Sequence, residues 1–220
     1  MIALKRAHSK GGRPPLERAG EVEERILDAA QAVFVRRGFE GASVDEIAQT
    51  ARAGKPTIYA RYANKEALFE AVMARQVARN TQFESLVPQG RSFQAKLVNL
   101  GIALIERTLD GETIGLMRSG IAEAERFPNL TRRINEMARK RAATNLAKLL
   151  SELARDEGIA ARGAFAPDKI TDTARIFLDL VLFAVLFSRL LGEDVKALKK
   201  ELPAYVRQRV EFFLEACGQG

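Results

Sequence analysis

A helix that opens at Ser43 has to close by about Ala51, and that brevity constrains everything around it. Ser43-Val44-Asp45-Glu46 fits a capping box, the serine accepting from a first-turn backbone N–H while the glutamate reaches back. Arg52-Ala53-Gly54 then supplies a break, and Pro56 is tolerated only in the first turn of whatever follows. The next helix is consequently short, about Lys55 to Tyr62. Upstream, Val22, Ile26, Ala29, Ala30, Val33 and Phe34 fall on one stripe of a helix over about 22–37. Arg36 and Arg37 complement its C-terminal end, Gly38 can turn left-handed after the cap, and Phe39 can fold back as the apolar contact. Helix, two-turn helix, three-residue break, short helix is the order of a helix-turn-helix.

Downstream, Asn64 caps a fourth helix from Lys65 to about Phe83, with Leu68, Phe69, Val72, Met73 and Val77 at helical spacing. Pro88-Gln89-Gly90 punctuates the chain, and helical patterns follow over roughly 93–109, 112–126, 129–155, 168–191 and 203–216. No segment of strict alternation competes, so the fold class is all-α. The expected organisation is a basic flexible arm (1–20), a three-helix helix-turn-helix domain (21–66) and a C-terminal helical domain (67–220). In the last of these, residues 168–191 are apolar on nearly every face of a helix. Such a helix has to be covered on more than one side. One side can face its own domain while the other packs on a symmetry mate, helped by Tyr205, Val206, Val210, Phe212, Phe213 and Leu214. A wholly internal helix of a monomer is the alternative.

Composition narrows the chemistry. The net charge is +7, and residues 1–20 hold five bases and one acid, a concentration that suggests a polyanion as partner. The bland alternative is a solvated leader. The one cysteine, Cys217, cannot form an internal disulfide, and no apolar segment near the start reads as a signal peptide, so a reducing cytoplasm is expected. The most apolar window, Ala174 to Leu191, carries Arg175, Asp179 and Arg189 and does not read as membrane-spanning. Enzyme chemistry finds little footing. The only histidine, His8, lies in the leader, so no histidine-based triad or metal site can be assembled in the core. Glu123 and Glu125 point to different helix faces, Glu211 and Glu215 are an ordinary i,i+4 pair, and no phosphate loop or dinucleotide fingerprint is present. No cofactor is expected.

Gly41-Ala42-Ser43-Val44-Asp45-Glu46-Ile47-Ala48, then Lys55-Pro56-Thr57-Ile58-Tyr59-Ala60-Arg61-Tyr62, then Asn64-Lys65-Glu66-Ala67-Leu68-Phe69 strongly resemble the N-terminal signature of the TetR family of transcriptional regulators. The resemblance covers about residues 22–73. It implies a homodimer on double-stranded DNA whose third helices enter successive major grooves, with Ser43, Thr57, Tyr59 and Lys65 falling where the family contacts phosphates. Helix starts, a tyrosine hydroxyl and a mobile ammonium suit that role, with a helix cap or a solvated side chain as the alternative for each. Base reading falls to Lys55, Pro56 and Arg61, since a cation can donate to guanine O6/N7 and an apolar ring can touch a thymine methyl. Tyr62, at the family's aromatic position after that helix, reads as a core residue, with contact to the DNA as the alternative. The leader Gly11-Gly12-Arg13-Pro14-Pro15 looks like the arm many members carry, which can lay an arginine such as Arg13 in an A·T-rich minor groove.

Two departures from the family pattern stand out. Arg52 replaces a common glycine in the turn, so either it accepts a left-handed backbone or the turn is altered. Pro56 replaces a frequent glycine and removes one N–H from the start of the reading helix.

A second stretch, Ile121-Ala122-Glu123-Ala124-Glu125-Arg126-Phe127-Pro128-Asn129-Leu130, resembles the C-terminal part of the AefR-like branch, which implies a helical inducer-sensing domain. Met117, Ile121, Phe177, Leu180 and Phe183 are candidate lining for its pocket, with plain core packing as the alternative for each. The resulting expectation is a repressor that binds a palindromic operator as a dimer and is released by a small-molecule inducer, without membrane attachment. Two alternatives stay open, a regulator of the same fold answering to a protein partner or to nothing, and a helical enzyme using carboxylates alone.

Overall fold

The structure, a computed structural model, describes residues 16–83, 86, 88–159 and 163–218. Among these the order is α1 (Leu16–Gly41), α2 (Val44–Ala51), α3 (Lys55–Tyr59), α4 (Lys65–Asn80), α5 (Phe93–Thr108), α6 (Gly111–Ala122), α7 (Pro128–Asp156), a 3-10 turn (Gly163–Phe165), α8 (Ile170–Leu190) and α9 (Val195–Ala216). No strand occurs among the described residues, and no helix there is long and apolar enough to cross a membrane. The basic arm, Arg13 included, lies outside the described residues.

Local chemistry explains most boundaries. α1 kinks at Gly38 (φ 71°, ψ 174°), a backbone that side chains rarely adopt, and Phe39 is thereby folded under the helix it follows. Ser43, Asn64, Ser92, Asp110 and Asp194 each cap a helix by accepting from a first-turn N–H. α3 is shorter than expected, yet Tyr62 N still donates to Ile58 O at 2.9 Å, so one more turn of helical bonding carries the chain to Tyr62. α4 stops at Asn80 rather than Phe83, where Thr81 N and Oγ1 both bond to Val77 O.

The last helix corrects the sequence expectation. It starts at Val195, not at residue 203, and Pro203 lies inside it. An interior proline forfeits one hydrogen bond and costs about 3 kcal/mol. The Asp194 cap and burial of Leu202 offset that cost by anchoring the turns ahead of the proline.

Among the described residues, two apolar cores form. One joins α5, α7, α8 and α9 around Leu97, Leu100, Leu146, Phe177, Val206 and Phe213. The other gathers the α1 stripe with Ile47, Ile58, Leu68 and Phe69, and then runs on into Leu116 of α6 and Leu130 and Ile134 of α7. The reading head therefore shares its core with the downstream helices. α6 crosses α1 closely at Gly115, where a Cβ would come within 2.9 Å of Val35 Cγ1. Ser119 Oγ, next on α6, donates to the Phe34 carbonyl at 3.2 Å.

A polar joint sits beside this contact. Arg75 of α4, almost fully buried, donates to Glu24 (3.1 Å), Asp28 (2.8 Å) and Gln31 Oε1 (3.0 Å) on α1. Gln31 in turn donates to Glu112 of α6 at 2.8 Å. Nearby, Gln76 and Asn80 of α4 both donate to Thr113 Oγ1 on α6.

α8 divides its apolar surface as a helix with two packing partners would. Phe177, Val181 and Val185 face the core, whereas Ile176, Phe183, Phe187 and the cap residue Leu191 are exposed, with the rings of Phe183 and Phe187 stacked 6.0 Å apart. On α9 the expected set splits. Val206, Val210, Phe213 and Leu214 are core residues, Tyr205 packs at the core's edge, and Phe212 alone of the six is exposed, because neighbours in sequence stand about 100° apart around a helix.

Candidate nucleic-acid interface

α2 and α3 meet across the turn at Arg52-Ala53-Gly54. Arg52 takes the left-handed conformation (φ 50°, ψ 43°), the first of the two options open to it, and is the one non-glycine residue with positive φ among those described. Ala53 N donates back to Ala48 O at 3.0 Å and Arg52 N to Gln49 O at 3.1 Å, which satisfies the last carbonyls of α2. The turn thus keeps the glycine-type path without the glycine.

Behind α3, Ile58 is buried and Tyr62 nearly so. The Tyr62 hydroxyl donates to Glu23 at 3.3 Å, and burial, with Glu23 beside it, pushes the phenol up to about 12. Tyr62 is accordingly a wall of the core. In front, Lys55, Pro56, Tyr59 and Arg61 are exposed and Thr57 is half-buried. Tyr59 is 49% exposed, and its hydroxyl has no hydrogen-bond partner among the described residues. Arg61 folds one nitrogen back onto the Thr57 carbonyl at 3.1 Å.

Two of the expected phosphate contacts already have intramolecular work. Ser43 Oγ accepts from Glu46 N at 3.1 Å, which leaves its proton available to an anion. Lys65 Nζ donates to the carbonyls of Glu40 (3.3 Å) and Ala42 (3.1 Å) and lies 4.6 Å from the Phe39 ring centroid. One of its three protons remains for an outside acceptor.

The capping box is only half formed. Glu46 does not reach back along its helix. Its carboxylate accepts from Arg36 at 2.6 Å and lies 3.6 Å from Arg37. The Arg36 hydrogen bond holds Glu46 below the usual carboxylate range. A charge-assisted bond outcompetes a neutral amide here, and it ties α2 to the end of α1.

Lys55, the foremost base-reading candidate, pairs with Asp45 at 2.5 Å, and the Asp45 hydrogen bond raises the ammonium above its ordinary value. Asp45 was legible in the sequence only as part of a helix cap. Its pairing could have been foreseen from an acid in the first turn of α2 and a base in the first turn of α3, two ends that a three-residue turn draws together. Gln31 is a similar omission. It interrupts an otherwise apolar stretch of α1, Ala29 to Phe34, and such a side chain needs a buried partner.

The five candidate pocket residues differ in burial. Phe177 and Leu180 belong to the C-terminal core, Met117 is half-buried on α6, and Ile121 and Phe183 are exposed. Among the described residues, two open cavities occur elsewhere. One is about 270 Å³ beside Leu86, Asn99 and Ala103, and the other is about 690 Å³ between the Gly163–Phe165 turn, Thr173 and Cys217.

Residues 26–72 match the bacterial regulatory proteins of the tetR family, and residues 95–219 match the AefR-like transcriptional repressor C-terminal domain. An HTH-type transcriptional repressor of Streptomyces coelicolor, SCO4008, is 49% identical over 53 residues, 24% of this chain and 28% of that protein. The matched stretch thus spans under a third of that relative's length. YvkB of Bacillus subtilis, an HTH-type transcriptional regulator, is 24% identical over 180 residues, 81% of this chain and 88% of its own. A crystal structure of a TetR-family regulator from Mesorhizobium loti superposes with a TM-score of 0.77 at 26% identity, covering 90% of this chain and 98% of the other.

Proposed function

The chain belongs to the TetR family of bacterial regulatory proteins, with an AefR-like C-terminal region, and on that premise we propose a repressor that binds a palindromic operator as a homodimer and is released by a small molecule. TetR-family members are DNA-binding transcriptional regulators that act as dimers, not enzymes. The observation that carries the finer reading is α3 itself. It is anchored from behind by Ile58 and Tyr62, so it presents Lys55, Pro56, Tyr59 and Arg61 outward on a rigid base. Residues 21–66 read the DNA and residues 67–220 dimerise and respond to ligand. Ser43, Thr57, Tyr59 and Lys65 hold phosphates, Lys55, Pro56 and Arg61 read bases, and Arg13 of the arm follows the minor groove.

The exposed stripe of Ile176, Phe183, Phe187 and Leu191, with Phe212 of α9, is the two-fold contact. A ligand entering between α6 and α8, past Met117, Ile121, Phe177, Leu180 and Phe183, moves α6 against α1 and α4 and so changes the spacing of the two reading heads. It can depopulate the DNA-competent arrangement by no more than its differential affinity. The exposure of Ile121 and Phe183 favours a second reading, a regulator of the same fold without small-molecule control. The cell compartment that follows from either reading is the cytoplasm, where the DNA is.

Selection of bound duplexes from a random pool, then gel shifts of the selected duplex with and without candidate apolar compounds, tests both. The expected result is a palindrome with half-sites about 34–36 Å apart or near a multiple of it, released by compound. Binding indifferent to sequence overturns the first reading, and specific binding that no compound changes favours the second.

A further inference from the structure

We propose that Asp45 is a specificity-determining residue, a carboxylate that steers Lys55 toward a base edge and away from the phosphate backbone. The inference rests on the reading of α3 as the DNA-contacting helix.

The geometry is particular. Asp45 stands in the first turn of α2, two residues after Ser43. Its Oδ1 lies 2.5 Å from Lys55 Nζ, in the first turn of α3. Both side chains are half-exposed or more, at 62% for Asp45 and 50% for Lys55, so the pair stands on the outer surface of the motif. The neighbouring acid differs in one respect. Glu46 is matched by Arg36 and Arg37 on α1, whereas Lys55 is the one ion-pair partner of Asp45 among the described residues.

That arrangement sets the donor count. An ammonium has three protons. One is spent on Asp45, and the remaining two match guanine O6 and N7, the acceptor pair of the major groove. If Lys55 swings instead to a phosphate it abandons Asp45, leaving an unmatched negative charge close to the polyanion. The backbone-bound state is penalised, whereas the base-bound state keeps the ion pair intact. A lysine stem is flexible and otherwise serves as a mobile point charge, so the carboxylate also removes part of the freedom that a base contact would have to freeze. Specificity is obtained here by a repulsive element as much as by an attractive one.

The experiment compares wild type, Asp45→Asn and Asp45→Glu on the duplex chosen by random-pool selection and on a scrambled duplex of equal length, each across a salt series. Circular dichroism and melting curves establish that the variants fold. Asp45→Asn is expected to bind the scrambled duplex more tightly, with a log–log salt slope steeper by about 0.9, one phosphate's worth. The ratio of selected to scrambled affinity is expected to fall at least tenfold, and Asp45→Glu to recover part of it. In a Lys55→Met background, Asp45→Asn is expected to leave the ratio within twofold. A ratio that survives Asp45→Asn, or a uniform loss on both duplexes, overturns the proposal while leaving the DNA-contacting role of α3 intact. A wild-type protein that prefers no duplex overturns both.

Discussion

The ring of Phe127 meets that of Phe39 edge-on, 5.4 Å between centroids, and so joins the downstream Phe127-Pro128 corner to the core of the reading head. Phe39 also packs on Phe34 at 5.8 Å and Phe69 at 5.1 Å, which makes it the hub of a four-ring cluster drawn from α1, α4 and the corner before α7. Phe39→Ala is expected to cost about 3–5 kcal/mol and Phe127→Ala, only partly buried, about 1–2 kcal/mol. In the double variant the losses should fall short of their sum by about 0.5–1.5 kcal/mol, the worth of one aromatic contact. Urea unfolding of the four proteins measures all three quantities.

Arg52→Gly should stabilise the protein. A left-handed non-glycine residue costs about 1–2 kcal/mol, and the greater freedom of an unfolded glycine takes back about half. The net gain of roughly 0.5–1 kcal/mol corresponds to a melting point about 1–4 °C higher for a chain of this size. A lower melting point would mean that the Arg52 side chain contributes more than its backbone loses.

Acid should loosen the joints that hold α2 and the α6–α7 corner to α1. The Arg126 hydrogen bond lowers Glu40, and the Arg36 hydrogen bond lowers Glu46. Because both carboxyls titrate lower in the folded state than at their ordinary 4.5, their contribution is complete above that pH and is lost as the pH falls through the folded values. Urea midpoints measured from pH 6 downward should decline from about 4.5, and Glu40→Gln with Glu46→Gln should flatten the decline.

At the alkaline end the sign reverses. Tyr62 is raised from 10.0 to about 12 by burial, so the folded state holds its proton longer than the unfolded state does. The stabilisation is complete below pH 10 and is lost between there and about pH 12. Phenolate absorbance should show a late step that Tyr62→Phe removes.

On DNA, Lys55→Met and Tyr59→Phe should fail differently. A lost base contact relaxes preference at one position of the selected site, by roughly tenfold to a hundredfold, and leaves other positions unchanged. A lost phosphate donor weakens every duplex alike. If Lys55→Met weakens all sequences evenly, the residue is a backbone contact.

The N-terminal half was legible because its signals are local. The Ser43 cap, the break at Arg52-Ala53-Gly54 and the stripe from Val22 to Phe34 are set by neighbours within a few residues, and each fell where expected. The start of α9 was not legible, since Pro203 reads as a helix start unless burial of Leu202 and the Asp194 cap are known. The site's polar pairings were legible only in part. Lys55 with Asp45 follows from two first turns drawn together by a three-residue turn, whereas Glu46 with Arg36 and the choice of Arg75 as partner for Gln31 depend on how helices cross, which periodicity does not encode. Helical spacing likewise marks Phe212 and Phe213 as equally apolar, and only the packed structure separates the exposed ring from the buried one.

The shared core has a consequence for anyone who would transplant this recognition module. Cut after residue 66, the fragment would lose the α4 residues Leu68 and Phe69 along with Leu116, Phe127, Leu130 and Ile134, and it would bare an oily flank to water. A chimera that exchanges operator preference between two such regulators has to carry the matching α6–α7 corner with it, or else re-tailor the seam residue by residue.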